Sequence, residues 1–286
     1  MRFLASTATL ASVTSMASAT GLLLPLYVYP SAEWQDGAAN WNPVFTAVGA
    51  YPDLKWTIVV NPENGPGSTG EAGNGDVNYI TGISKLNAYD NVNTVGYVRT
   101  NYAATSLETV KSDVTTFAGW TSYTDSDVSV HGIFFDEVAA DFDYMNEVIT
   151  HTRSAFKGET ITTICNFGVA ASEEFYTICD IVVAFESCLN CSTAPQYKSQ
   201  TTIDANIPKD YASQASIILN NFSGAAYDGS TANAALIDSY VSTIASNGVG
   251  WFYFTSADYN DITTAPATVG QNADSLAKAI LVPVVQ

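Results

Sequence analysis

Basic side chains are scarce: the 286 residues hold 10 Lys and Arg against 28 Asp and Glu, a formal net charge of −18. A phosphate backbone needs clustered cations, so nucleic acid is excluded as a partner. Histidine is scarcer still, with only His131 and His151, which stand apart. They leave no zinc-ligand set and no base for a Ser-His-Asp triad, and no Gly-x-Ser-x-Gly elbow occurs. Gly-x-x-x-x-Gly-Lys-Ser/Thr is absent, and no Gly-x-Gly-x-x-Gly follows the first strand-like run, so nucleotide chemistry is excluded and no cofactor is expected. No run of about 20 apolar residues exists, so no membrane span is expected.

What is present begins with a leader pattern. Met1-Arg2 supplies a charge, Phe3 to Met16 is small and apolar, and Ala17-Ser18-Ala19 is an Ala-x-Ala cleavage site. Residues 1–19 therefore read as a secretory signal, leaving residues 20–286 as one exported, monomeric domain. That length is close to the roughly 250 residues of a single barrel. Cys165, Cys179, Cys188 and Cys191 fall in one short stretch. An even count in an exported protein points to two disulfides, with three pairings open. Asn190 and Asn221 each open an Asn-x-Ser glycosylation sequon. The acidity has two readings: solubility of an exported protein, or a groove that draws a cationic polymer.

Eight short β-branched and aromatic runs punctuate the chain: Leu22–Tyr29, Trp56–Asn61, Thr94–Thr100, Gly132–Asp136, Thr160–Asn166, Ile181–Glu186, Ser216–Asn220 and Gly250–Thr255. Most are continuously apolar, as strands buried on both faces are. Helical patterns lie between them. Thr105-Ser106-Leu107-Glu108 reads as a capping box ahead of Leu107, Val110, Val114 and Phe117. Phe142, Met145, Ile149 and Phe156 repeat the helical spacing, as do Leu236, Tyr240 and Ile244, and Ala273 to Leu281 reads as a closing helix. The alternation predicts a single (β/α)₈ barrel, with an open doubly wound sheet as the alternative.

Barrel active sites are built at the C-terminal ends of strands. Reading those ends gives polar and aromatic residues throughout, and Gly132-Ile133-Phe134-Phe135-Asp136-Glu137 is the sharpest, an apolar strand running into two carboxylates. Adjacent strand residues face opposite ways, so the pair shares one pocket only if the chain bends there. The bland alternative is a helix N-cap. Glu186 ends its apolar run likewise, with a salt bridge to Arg99 or Lys198 as its alternative role. Carboxylates at neighbouring strand ends suit glycoside cleavage, which takes an acid and a nucleophile or base. Candidate substrate contacts are Tyr29, Asn61, Asn64, Arg99, Tyr102, Asn166, Asn220 and Tyr253. Asn61–Asn78 is a long Gly-, Asn- and Pro-rich loop, a length that is usually functional.

Tyr27-Val28-Tyr29-Pro30, Asn61-Pro62-Glu63-Asn64-Gly65-Pro66-Gly67, Gly96-Tyr97-Val98-Arg99-Thr100-Asn101-Tyr102 and the Gly132–Glu137 segment occur in that order. Together they resemble the spherulin-4-like, spherulation-specific family of fungi and related microbes. The resemblance implies a barrel glycoside hydrolase acting on α-1,4-linked N-acetylgalactosamine in galactosaminogalactan, an amino-sugar polysaccharide. It implies that Asp136, Glu137 and Glu186 form the acidic cluster, Glu186 being placed by strand order. In an α-linked sugar the 2-acetamido group is cis to the leaving group and cannot attack from behind. A carboxylate or an activated water must therefore attack, with Asp136 expected as nucleophile, Glu186 as acid/base and Glu137 orienting or tuning, the exchange of the Glu137 and Glu186 roles being the alternative. Carboxyls about 5–5.5 Å apart would mean retention, and about 6.5–9.5 Å inversion. The competing readings are a non-catalytic wall or spore-coat protein that binds glycan in the same cleft, and a glycosidase acting on another amino-sugar polymer, for example a β-linked chitin-like one.

Overall fold

The computed structural model describes residues 20–259 and 263–281, so the expected signal segment lies outside the described residues. The eight apolar runs form eight strands: β1 (Gly21–Leu26), β2 (Trp56–Val60), β3 (Val92–Arg99), β4 (Gly132–Asp136), β5 (Thr162–Asn166), β6 (Ile181–Cys188), β7 (Ala215–Asn220) and β8 (Trp251–Phe254). Each pairs in parallel with the next, and β8 returns to β1 through Gly21↔Trp251 and Leu22↔Phe252, closing a barrel in simple order. Closure leaves no sheet edge and rules out the open doubly wound sheet.

Helices α1 (Asn42–Ala50), α2 (Val77–Asn87), α3 (Leu107–Gly119), α4 (Phe142–Ala155), α5 (Gln200–Asn206), α6 (Ala234–Ser246) and α7 (Val269–Leu281) cover the outside. The cap of α3 falls one residue later than the capping-box pattern predicts. Ser106, not Thr105, accepts the Thr109 amide, while the Thr105 carbonyl is taken by the Tyr144 hydroxyl. No α-helix follows β5; a 3₁₀ turn at Glu173–Thr177 fills that place. The disulfide Cys165–Cys179 spans this abbreviated crossover, and Cys188–Cys191 closes the turn after β6.

Strand alternation sorts the core into two layers. Leu23, Val59, Val95, Tyr97, Phe134, Ile164, Ile181, Val183 and Ile218 fill the barrel interior, while their neighbours pack outward beneath the helices. One layer nearer the C-terminal mouth, the same inward parity delivers Tyr27, Asn61, Arg99, Asp136, Asn166 and Asn220. β6 would break this pattern, because Ile181 and Val183 face inward and plain alternation then turns Glu186 out. A bulge intervenes: Val183 pairs with Ser216 but Phe185 with Ile217, so Ala184 and Phe185 both pack outward and Glu186 returns to the interior. Re-aiming a side chain at a barrel rim is what a bulge does.

Candidate active site

The acidic cluster is assembled from β3 to β6. Asp136 ends β4, with its Oδ2 accepting the Tyr97 hydroxyl of β3 at 2.6 Å and its Oδ1 accepting Asn166 Nδ2 of β5 at 2.7 Å. The same Asn166 nitrogen donates to Glu186 Oε2 at 2.6 Å, and Asn166 Oδ1 accepts the Gly168 amide at 2.9 Å. One side-chain amide thus uses both donors on two different carboxylates. At 2.7 and 2.6 Å from a single nitrogen, those two carboxylate oxygens lie no more than 5.3 Å apart.

Glu137 joins the cluster because the chain turns there. Its φ is +53°, in the left-handed region, so it does not alternate away from Asp136. Asn101, Tyr102 and Ala103 on the adjoining loop are also left-handed, with φ of 49°, 53° and 63°. The two segments brace each other: the Tyr102 amide donates to the Glu137 carbonyl at 2.6 Å, and Thr100 Oγ1 reaches the carbonyls of Asp136 and Glu137 at 2.9 and 2.8 Å. Strain of this kind persists only where the surroundings over-determine it. Arg99 clasps Glu137 with two hydrogen bonds, Nε to Oε2 at 2.8 Å and Nη2 to Oε1 at 3.0 Å. Arg99 therefore pairs with Glu137 and not with Glu186. The N-cap of α4 is Asp141, so neither Asp136 nor Glu137 has the helix-cap role.

The cleft over these groups holds about 240 Å³ and is lined by Tyr27, Tyr102, Asp136, Glu137, Asn166, Phe167, Gly168, Glu186, Asn220 and Tyr259. Tyr27 packs edge-on to Tyr97 and against Tyr259, with centroids 5.4 Å apart in both pairs. Burial, reinforced by the Asp136 charge, pushes Glu186 up to about 7. Burial also raises Asp136 above the ordinary carboxylate value, while the Tyr97, Glu137-amide and Asn166 hydrogen bonds pull it back. Burial and the same two carboxylates raise the Tyr27 and Tyr259 hydroxyls, keeping both rings neutral. The arrangement places a group that holds a proton near neutrality beside a carboxylate steadied by two donors.

Of the other predicted contacts, Asn166, Asn220 and Tyr102 line this cleft. Tyr29, Asn61 and Asn64 lie on the same face but outside its lining; the Tyr29 hydroxyl is engaged with Asp76 and Asn78, and the Asn61 carbonyl with Tyr79. Tyr253 is a correction. It is fully buried and absent from the cleft lining, so it presents no surface to a ligand there. Tyr97 was missed, because reading only the last residue of β3 gives Arg99; the inward parity that it shares with Arg99 is the signal that finds it. Asn190 is exposed within the turn closed by Cys188–Cys191, whereas Asn221 is half-buried beside the cleft residue Asn220. Among the described residues, no three His, Cys, Asp or Glu side chains are placed to hold a metal ion, and no helix is long and apolar enough to cross a membrane.

Among solved structures, the fold matches Sph3 of Aspergillus clavatus in complex with GalNAc, at 23% identity and a TM-score of 0.69, covering 90% of this chain and 97% of that one. It also matches the active domain of a Pyrococcus furiosus chitinase complexed with chito-oligosaccharides, at 9% identity and a TM-score of 0.54 over 91% and 94% of the chains. At these identities the likeness is one of fold, a barrel shared with glycoside hydrolases. Spherulin-4 of Physarum polycephalum is 31% identical over 252 residues, 85% of this chain and 67% of that protein. With the family model matched across residues 21–276 as well, the chain belongs to spherulation-specific family 4.

Proposed function

We propose that the protein is a secreted glycoside hydrolase that cuts internal α-1,4-linked N-acetylgalactosamine bonds in a galactosaminogalactan-type exopolysaccharide. The observation that carries this reading is the Asn166 bridge. It keeps one oxygen of Asp136 and one of Glu186 within reach of a single nitrogen, which supports the short spacing of a retaining pair, while burial lets Glu186 keep a proton near neutrality. The GalNAc complex of Sph3 supports the sugar, since that protein shares the barrel.

In the first step Glu186 gives its proton to the glycosidic oxygen as the bond from that oxygen to the anomeric carbon breaks. Asp136 forms a bond to the anomeric carbon from the opposite side, giving a glycosyl ester. Glu186, now a carboxylate, takes a proton from water as the water displaces Asp136, so both side chains return to their starting states. Two inversions give net retention. Tyr97 and Asn166 each donate to one oxygen of Asp136, which leaves further lone pairs for attack. Glu137 is held by Arg99 and orients the sugar. Tyr102 and Phe167 give the ring an apolar wall.

Incubation with purified galactosaminogalactan, followed by mass analysis, is expected to show N-acetylgalactosamine oligomers from the wild type. Asp136→Asn and Glu186→Gln are expected to lose about 10²–10⁴ in turnover while still binding the polymer. Proton NMR of the first product should show the α-anomer. No oligomers from the wild type, with binding intact, would leave a glycan-binding protein instead.

A further inference from the structure

Apart from Leu281 at the end of α7, the exposed large hydrophobic side chains gather at one end of the barrel. Tyr29, Trp34, Tyr102, Val169 and Tyr227 all lie on loops that follow strands, at the mouth that holds the acidic cluster, and Trp34 is the most exposed of them at 68%. An indole left in water costs free energy unless something covers it. The loop that presents it is fixed. Asp36 Oδ2 accepts the amides of Ala32 at 2.7 Å and Glu33 at 2.9 Å, and its Oδ1 accepts Ala39 at 3.0 Å. Those amides hold the Asp36 carboxyl well below the usual carboxylate range. On either side, Gln35 and Ala38 take left-handed φ values of 60° and 62°.

The loop is also keyed to the cleft. The Gln35 amide donates to Asn78 Oδ1 at 2.9 Å, Asn78 Nδ2 donates to the Tyr29 hydroxyl at 2.7 Å, and Tyr29 stands two residues beyond Tyr27, whose ring lines the cleft. In the closed strand order β1 stands across the mouth from β5, which carries Asn166. Trp34, on the loop after β1, is therefore carried on the β1 side of the mouth, outside the cleft lining. An exposed indole on a fixed loop outside the cleft lining offers a flat apolar face to a pyranose ring that lies beyond the cleft.

We infer that Trp34 is a distal sugar-binding platform, stacking a pyranose of the same polysaccharide chain away from the scissile linkage and thereby making long chains the preferred substrate. The inference rests on the proposed hydrolase reading. Such a platform holds substrate equally before and during reaction, so it acts on KM more than on kcat.

The chain's own fluorescence gives the test. Trp41, Trp56 and Trp120 are buried and Trp251 is half-buried, so acrylamide quenching reports mainly Trp34. In the Asp136→Asn background, N-acetylgalactosamine oligomers of increasing length are expected to shield this fluorescence once they outgrow the cleft, the monosaccharide giving no shielding. Trp34→Phe is expected to remove the shielded signal. Trp34→Ala, with an unchanged melting temperature, is expected to lose about tenfold in kcat/KM on polymer, through KM, and nothing on the shortest cleaved oligomer. Calorimetric binding of long oligomers with no shielding, or wild-type kcat/KM for Trp34→Ala on polymer, would overturn the platform and leave the hydrolase reading standing. Absence of both oligomer binding and cleavage by the wild type would remove the hydrolase reading and the platform with it.

Discussion

Glu186 can serve as an acid only while it carries a proton, and its burial beside Asp136 holds that proton up to about pH 7. Turnover is therefore expected to fall as pH rises through about 7, a basic limb that kcat/KM profiles should show. Its acid limb should lie above the ordinary carboxylate range, because Asp136 must be charged to attack and its burial raises it. Stability follows the opposite logic from an ion-paired carboxylate. The folded protein binds the Glu186 proton more tightly than the unfolded chain, whose value is near 4.5. Below that pH both states are protonated and the residue costs nothing; as pH rises from 4.5 to about 7 the unfolded chain ionises while the folded site keeps its proton, so folding stability is lost across that window. Glu186→Gln should thus be more stable than the wild type at pH 8 by on the order of 1–3 kcal/mol, with the difference closing at pH 4. Chemical denaturation at the two pH values measures this, and equal stability at pH 8 would contradict the burial of the charge.

Two chain irregularities set the site, the left-handed turn at Glu137 and the bulge before Glu186. Both bear on what could be read in the sequence. The strands and their order follow from continuously apolar runs, and Asp136, Asn166 and Asn220 follow from strand ends, because the hydrophobic pattern fixes both. Alternation alone places Glu186 on the helix side, and nothing in Ala184-Phe185 announces the extra residue; pairing with β7 decides it. Tyr253 misled because a polar aromatic near a strand end can be wholly enclosed by its neighbours, which the linear sequence does not show. The missing helix after β5 is another departure from regular alternation, and there Cys165–Cys179 ties the residue next to Asn166 to the start of β6. Its 14-residue separation gives a stabilisation of about 3 kcal/mol by loop closure. The shorter Cys188–Cys191 loop is worth less. Replacing Cys165 and Cys179 by Ala is expected to lower unfolding free energy by about 3 kcal/mol in urea titrations, and to reduce turnover more than the Cys188/Cys191 double variant does. Equal turnover in the two would mean that the crossover does not hold Asn166 in place.

The charge of the whole molecule is distributed unevenly around its mouth. The loops that follow strands carry Glu33, Asp36, Glu63, Glu71, Asp76, Asp141, Asp228 and Asp258, while Lys198 is their lysine, and Arg99 is already matched by Glu137. With Asp136 below them, this face presents a negative field to any approaching polymer, in a chain whose formal charge is −18. A neutral N-acetylgalactosamine chain feels none of it, whereas a chain with free 2-amino groups is cationic at neutral pH. Exposed charges interact across about 10 Å at 0.1 M salt and about 3 Å at 1 M. Affinity for a partly deacetylated galactosamine polymer is therefore expected to exceed that for the fully acetylated one at low salt, by about tenfold or more. Raising salt to 1 M should remove most of that advantage and leave the acetylated polymer's affinity nearly unchanged. Titration calorimetry of Asp136→Asn with both polymers at several salt concentrations separates the two contributions. Because one protein is compared on two polymers of the same backbone, stacking on the aromatic rim is common to both and cancels. A salt-independent difference would place discrimination in contacts to the acetamido group itself, and a salt-independent affinity for the cationic polymer would mean that the acidic face serves solubility alone.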